Sequence, residues 1–175
     1  HELAFEQFVI PPVLQLVNKP NPKDKLEVKN SDEKIDVKGA NFEISIQSGM
    51  LASYKVENQE LITSPLVPNF WRAMIDNDRG SHVDQDSKTW RDHVQIIASF
   101  EVPTTSRSIV NVRYTIYTTG QIDVHYKLLP GKDLPNIPEI GMRFEMDASY
   151  ENLEWYGKGP HETYWDRQKS GKIAI

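Results

Sequence analysis

Two carboxylates that lie one residue apart, beside an arginine and a tryptophan, are the first candidates for chemistry in this sequence. Asp76 and Asp78 follow the apolar and aromatic run that contains Trp71 and Arg72. Retaining glycosidases use two carboxyl groups that face each other across the sugar, about 5 to 5.5 Å apart. Side chains two positions apart in one segment rarely face each other in this way, so these aspartates make a poor catalytic pair.

We favour a polar network that holds this loop together. Asp and Asn side chains satisfy the backbone amides of turns, and an arginine can bind a carboxylate through two parallel hydrogen bonds. We therefore predict a structural role, rather than catalysis, for Arg72, Asp76, Asn77, Asp78 and Arg79.

A second polar and aromatic segment covers residues 155–167. Its predicted turn residues are Gly157, Gly159 and Pro160. Because no helical pattern follows the glycines, they do not form a phosphate-binding loop. His161 and Glu162 come next, and such a pair can donate and accept hydrogen bonds at a ligand, although a lone histidine is more often a turn residue.

Aromatic side chains offer another kind of site, because an exposed ring can stack on the apolar face of a pyranose. In a β-sandwich most such residues fill the core or an interface. We predict one or two of them at a ligand-facing or interdomain surface. The candidates are Trp71, Trp90, Trp155, Tyr156, Tyr164 and Trp165. The residues that we place beside a pocket are Trp71, His161, Glu162 and Trp165.

Four side chains near residue 87 have the chemistry of metal ligands: His82, Asp84, Asp86 and His93. Their spacing matches neither an EF-hand loop nor a His-Glu-x-x-His helix. Asp86 or Ser87 can instead cap a short helix over residues 87–93, with Trp90 as its buried anchor. We predict that helix, and we predict no metal or other cofactor in this chain.

The two polar segments together resemble the C-terminal small-chain domain of the bacterial β-galactosidases of glycoside hydrolase family 2. The family patterns are approximately Phe-Trp-Arg-Ala-Pro-x-Asp-Asn-Asp-x-Gly and Gly-x-Gly-Pro-x-Glu-x-Tyr-x-Asp-Arg. Residues 70–80 match the first pattern except that Met74 replaces the usual proline. Residues 157–167, which end in Asp166 and Arg167, match the second pattern.

The resemblance implies a parent enzyme that hydrolyses terminal β-D-galactosides such as lactose with retention of configuration. It places both catalytic glutamates and a magnesium site in an upstream (β/α)8 barrel, and therefore no catalytic residue in this chain. The small-chain domain packs against that barrel and shapes the substrate pocket. Two alternatives remain open: a stand-alone carbohydrate-binding module, and a mutarotase-like epimerase with His161 and Glu162 as acid and base.

The elements that must position these residues are predominantly strands. Apolar residues alternate with polar ones over 42–46, 52–56, 110–116, 122–128 and 140–146, and this period of two is typical of half-buried strands. We predict an all-β antiparallel sandwich, which the resemblance refines to a supersandwich like galactose mutarotase. The resemblance also divides the chain into the end of an immunoglobulin-like domain (1–17), a linker with room for one edge strand (18–36) and the N-terminal part of the small-chain domain (37–175).

Composition excludes several classes of partner. The 175 residues contain no cysteine and carry a net charge of -5, with 38% hydrophobic and 26% charged residues. The charged residues form no basic stripe, so we predict that the chain binds neither nucleic acid nor anionic membranes. Disulfides and thiolate metal sites are impossible. The compartment stays open between cytoplasm and periplasm, and so does assembly with further copies of the chain.

Overall fold

The computed structural model describes residues 24–69, 83–102, 104, 106–134, 140–159 and 171–174. The chain divides into two compact units, residues 18–147 and residues 148–175 together with 1–17. In chain order the strands are β1 (Glu27–Asn30), β2 (Lys34–Lys38), β3 (Phe42–Gln47), β4 (Met50–Val56), β5 (Gln59–Glu60), β6 (Ser64–Asn69), β7 (Val83–Thr89), β8 (His93–Val102), β9 (Ser108–Tyr117), β10 (Ile122–Leu129), β11 (Gly141–Glu145), β12 (Gly157–Gly159) and β13 (Lys172–Ala174).

The unit of residues 18–147 contains two antiparallel sheets. The larger sheet has the strand order β1-β2-β3-β4-β6-β11, and β5 pairs with the end of β4 that β6 does not reach. The smaller sheet has the order β10-β9-β8-β7. The predicted all-β antiparallel sandwich is confirmed. No helix in the described part of the chain is long and apolar enough to span a membrane.

The core lies between the two sheets because alternate side chains of each strand point to the same face. In β3 and β9 the apolar residues predicted from their period of two are all buried. The hairpins predicted around Ser48-Gly49 and Thr119-Gly120 both form, and the two glycines have positive φ angles of 73° and 86°. The buried apolar residues are Ile35, Val37, Phe42, Ile44, Ile46, Leu51, Ile62, Leu66, Val94, Ile96, Ala98, Phe100, Val110, Val112, Tyr114 and Ile116.

Two tyrosine hydroxyls connect the sheets. The Tyr54 hydroxyl on β4 donates to the carbonyl of Gly120 in the β9–β10 turn at 2.9 Å. The Tyr114 hydroxyl on β9 donates to the carbonyl of Gly49 in the β3–β4 turn at 3.2 Å. Burial raises the pKa of Tyr114 to about 12. Each sheet therefore supplies a hydrogen bond to a turn of the other.

The helix predicted over residues 87–93 is wrong. Residues up to Thr89 belong to β7, which pairs with β8 along its whole length. The Trp90 amide donates to the carbonyl of His93 at 2.8 Å and closes a tight hairpin turn. Trp90 is 39% exposed rather than buried. The Asp86 carboxylate accepts the amide of the next residue, Ser87, whereas a helix cap would accept an amide two or three residues further on. Pairing with the apolar strand β8 overrides the local capping signal.

The described part of the predicted linker, residues 24–36, contains edge strand β1 and the first residues of β2. This part of the chain belongs to the larger sheet. In the other unit, β12 and β13 form an antiparallel pair in which Lys158 lies opposite Ile173.

Candidate functional site

The best-defined surface in the second polar segment is the indole ring of Trp155. A β-carbon on Gly157 would lie 3.4 Å from Cδ1 and 3.7 Å from Nε1 of this ring, and one on Gly159 would lie 3.4 Å from Cζ2. Positions 155, 157 and 159 alternate with their neighbours along an extended chain, so they share one face. The two glycines leave a flat track on which the indole lies, and the ring remains 54% exposed.

Other exposed apolar side chains precede β12. Tyr156 is 77% exposed and Leu153 is 81% exposed, and Tyr150 is also exposed. Large exposed apolar groups that are close together mark sites of contact with a ligand or with another protein surface. The segment 150–156 is therefore a candidate contact surface, with the Trp155 indole as the part suited to stacking on a sugar.

Most of the predicted site residues lie outside the described part of the chain, so the loop network and the pocket stay predictions. These residues are Trp71, Arg72, Asp76, Asn77, Asp78, Arg79, Pro160, His161, Glu162, Trp165, Asp166 and Arg167. The arm 1–17 and Tyr164 also lie outside it. Gly157 and Gly159 are described, and both lie in strand β12 rather than in the turn predicted for them, because the backbone there is extended and pairs with β13.

A second aromatic cluster lies where the β7–β8 and β9–β10 hairpins end. The rings of Trp90 and His93 are stacked with centroids 4.7 Å apart, and His93 lies 5.7 Å from the ring of Tyr117. The Lys88 ammonium lies 5.3 Å from the Trp90 ring centroid. His93 Nδ1 also lies 2.9 Å from an Asp92 carboxylate oxygen. Because these side chains contact one another, we assign the cluster a structural role, in which it holds the ends of the two hairpins together.

Tyr117 and its partners were not singled out from the sequence. The Tyr117 hydroxyl and the side-chain amide of Gln121 each donate to a different carboxylate oxygen of Asp123 at 2.9 Å. The sequence feature that could have indicated this contact is the turn at Thr119-Gly120, which places residues 117 and 123 on adjacent strands close to their joined ends. The approach of His93 to Tyr117 depends on the register between β8 and β9, which sequence spacing alone does not reveal.

The described residues contain no group of three or more His, Asp or Glu side chains that could hold a metal ion. Two of the four candidates have other partners, since the Asp86 carboxylate accepts the Ser87 amide and His93 contacts Asp92. His82 and the side chain of Asp84 lie outside the described part of the chain.

Four carboxyl groups in the described residues have a lowered pKa. Burial opposes ionisation of Asp36, but hydrogen bonds from Lys34 and Ser45 outweigh it and lower the pKa. Burial also opposes ionisation of Glu60, and hydrogen bonds from the Ser53 hydroxyl and two backbone amides lower its pKa. Glu43, bonded to Lys38, and Asp92, bonded to His93, have lowered pKa values as well. A glycosidase general acid needs a raised pKa, so these four groups are suited to hydrogen bonding and ion pairing.

A family model described as Beta galactosidase small chain matches residues 36–175. The chain belongs to this family. Over its whole length it is 36% identical to a protein named Beta-galactosidase from Priestia megaterium, of which it covers 19%. It is also 30% identical, over its whole length, to a Beta-galactosidase from Clostridium acetobutylicum, of which it covers 22%. A Beta-galactosidase from Halalkalibacterium halodurans is 29% identical over 99% of the chain.

The chain therefore spans about a fifth of the length of the curated relatives it matches, 19% and 22% for the first two. The family match includes both polar segments, and so it includes Trp155 and its glycine track. It begins within β2.

Proposed function

We propose that this chain is the supporting, non-catalytic part of a β-galactosidase that hydrolyses terminal β-D-galactosides such as lactose with retention. The observation that carries the proposal is the family match over residues 36–175, together with whole-chain identity to bacterial proteins named Beta-galactosidase. In this proposal the remaining domains of the parent enzyme are the main partners of the chain.

The chemistry of retaining hydrolysis bears on which domain of the parent enzyme carries the catalytic carboxyl groups. The reaction needs one carboxylate as nucleophile and a second carboxyl group as acid and base, held on opposite sides of the anomeric carbon. The carboxyl groups of Asp36, Glu43, Glu60 and Asp92 have a lowered pKa, which does not suit the acid of this reaction. We place the two catalytic carboxyl groups, and a magnesium ion beside them, in another domain of the parent.

The contribution of this chain is then to support the catalytic domain and to shape the substrate pocket. The exposed segment 150–156 is the described surface best suited to contact another domain, because its apolar side chains face solvent within this chain. Burial of such side chains at a domain interface stabilises the assembly by about 25 cal/mol for each Å² of apolar surface removed from water.

An assay with o-nitrophenyl galactoside tests the proposal. The parent gene product should hydrolyse it, and the purified 175-residue chain should not. A parent variant that lacks the barrel nucleophile serves as the control for contaminating host enzyme. Turnover that follows the purified chain through successive columns, and that disappears when Asp76 or Glu162 is changed, would assign the active site to this chain instead.

A carbohydrate-binding module is the second candidate, and the geometry of Trp155 favours it. The indole is held flat on two glycines and is more than half exposed, an arrangement suited to stacking on the apolar face of galactose. Titration of the chain with galactose should give a millimolar dissociation constant under this candidate. Trp155→Ala should then abolish binding, whereas Trp90→Ala, at a tryptophan covered by His93, should leave it unchanged.

A further inference from the structure

The chain segment just before the family match is part of the sandwich. The match begins at residue 36, whereas β1 covers Glu27–Asn30 and pairs with β2 along its whole length. Leu26 and Val28 are half-buried and pack against the core. The segment therefore contributes a strand and apolar side chains to a domain whose matched region starts after it.

The end of β1 contacts both sheets. The side-chain amide of Asn30 donates to the hydroxyl of Ser87 on β7, in the smaller sheet, at 3.4 Å. The amide and the hydroxyl of Ser31 both donate to the carbonyl of Lys34, at 2.8 Å and 3.0 Å, and close the turn between β1 and β2. The position of β1 is therefore defined by more than its backbone pairing.

The charges of β1 match those of β2 in the observed register. Glu27 lies opposite Lys38, and Lys29 lies opposite Asp36. All four side chains lie on the outer face, because the β2 residues on either side of Asp36 are buried. The hydrogen bond with Glu43, and then the charge of Glu27, raise the pKa of Lys38. Exposed ion pairs add little stability, but opposite charges across a strand pair favour one register over another.

Other registers of β1 are less favourable. A shift by one residue turns Val28 from the core to the outer face. A shift by two residues sets Glu27 opposite Asp36 in one direction and Lys29 opposite Lys38 in the other. Like charges directly opposite each other destabilise a strand pair. The sequence of β1 therefore specifies the register that the structure shows.

We propose that β1 is a register-specific strap, which attaches the upstream part of the polypeptide to the small-chain domain at one fixed position. Each residue of shift would move the point of attachment by about 3.4 Å along the strand. The inference rests on the function proposed above, in which this domain shapes the substrate pocket of the parent enzyme. The strap then holds the domain where the pocket requires it, and Glu27 and Lys29 act as positioning residues without contacting the substrate.

Disulfide formation in the full-length parent protein measures the register. The 175 residues contain no cysteine, and mass spectrometry of proteolytic peptides identifies which introduced pair is linked. Val28→Cys/Val37→Cys joins directly opposite residues and should form a disulfide, because strand partners lie within the Cα distance of about 4.4 to 6.8 Å that the bond allows. Val28→Cys/Ile35→Cys joins diagonal neighbours, about 7 to 8 Å apart, and should form little disulfide.

Reversal of the two charges of β1 should reverse this preference. In Glu27→Lys/Lys29→Glu both pairs of the observed register join like charges, whereas a shift by two residues brings opposite charges together at Asp36 and Lys34. The disulfide of the directly opposite cysteines should therefore decrease, and that of the diagonal cysteines should increase.

Kinetics of the same full-length proteins with o-nitrophenyl galactoside test the positioning role. Glu27→Lys/Lys29→Glu should raise KM several-fold and change kcat little, because a displaced domain weakens substrate binding without altering the catalytic groups. The matched control is Asp24→Lys/Lys25→Asp, which exchanges two charges of the same segment just before β1. The control should equal the unchanged protein in register and in KM.

Two results would overturn the proposal. One is a disulfide preference that the charge reversal leaves unchanged, or a directly opposite cysteine pair that does not link in the otherwise unchanged protein. The other is an unchanged KM in a protein whose register has shifted. A parent that hydrolyses no galactoside would contradict the proposed function, and the disulfides would still report the register because they need no turnover. Thermal melts establish that each variant is folded.

Discussion

The core of the sandwich in residues 18–147 and the segment 150–156 differ in whether their apolar side chains are buried. Between the sheets, residues such as Ile46 and Ile116 are fully buried. In the segment before β12, Leu153, Trp155 and Tyr156 all face solvent. The sandwich obtains its stability from its own two layers. The segment leaves most of its apolar surface exposed, as a contact surface for another domain or a ligand requires.

The largest expected effect comes from truncating one residue in each region. Ile46→Ala should lower the free energy of unfolding by about 2 to 5 kcal/mol, because it removes buried methyl groups and leaves a cavity. Leu153→Ala removes a side chain of similar size from an exposed position and should change stability by less than about 0.5 kcal/mol. Urea unfolding followed by circular dichroism measures both. Equal losses in the two variants would refute the contrast between the regions.

Two glycines, one in each region, allow a second comparison of the core with the exposed segment. A β-carbon on Gly39 would lie 2.1 Å from the ring of Phe42, which is buried in the core. The ring must move, so Gly39→Ala should cost about 1 to 3 kcal/mol. A β-carbon on Gly159 would lie at an ordinary contact distance of 3.4 Å from Trp155, and Gly159→Ala should be nearly neutral. Calorimetric melting temperatures of the two variants separate these expectations, and a larger loss for Gly159→Ala would contradict them.

The two buried tyrosine hydroxyls of the smaller sheet provide a finer test. Tyr114→Phe removes the hydrogen bond to the carbonyl of Gly49 and should cost about 0.5 to 1.5 kcal/mol. Tyr126→Phe removes a hydroxyl that has no partner among the described residues and should be neutral or slightly stabilising. Denaturant midpoints report the difference. A loss at Tyr126 as large as that at Tyr114 would mean that its hydroxyl has a partner in solution.

The smallest expected effect is the pH dependence contributed by Glu60. Its folded-state pKa is lowered, since hydrogen bonds from Ser53 and two backbone amides outweigh the opposing effect of burial. The stabilisation is therefore present above the unfolded-state pKa of about 4.3, and it is lost as the pH falls through the lower folded-state value. Because the side chain is largely exposed, the effect should stay below about 1 kcal/mol. In Glu60→Gln the melting temperature should fall less between pH 5 and pH 3 than in the unchanged 175-residue chain. An identical dependence of melting temperature on pH in the two proteins would contradict the assignment.

Much of the fold could be predicted from alternation alone. The rows Phe42, Ile44, Ile46 and Val110, Val112, Tyr114, Ile116 have a period of two, and the structure buries them all. The failure at residues 87–93 arose because a capping signal at Asp86 and Ser87 is local, whereas the structure there depends on pairing with β8. That strand has its own alternating row, Val94, Ile96, Ala98 and Phe100, which outweighs the cap.

The candidate site was less predictable than the fold. The sequence identified Trp155 and the two glycines as parts of one segment, but the stacking of the indole on the glycines requires an extended backbone at residues 155–159. The contact of His93 with Tyr117 requires the register of two strands. Such contacts depend on which residues lie opposite each other, and residue types alone leave several registers open.

The tyrosine hydrogen bonds between the sheets also bear on the order of folding. They join residues 65 and 66 positions apart, whereas each hairpin joins neighbouring parts of the chain. Closing a long loop costs entropy before its contacts form, so we expect the hairpins to assemble first and the closure of the two layers to limit the folding rate. During synthesis from the N-terminus, β6 is made before the four strands of the smaller sheet, and its partner β11 is made after them. The sandwich therefore cannot be completed strand by strand, and its unfinished layers expose apolar surface to the cell during synthesis.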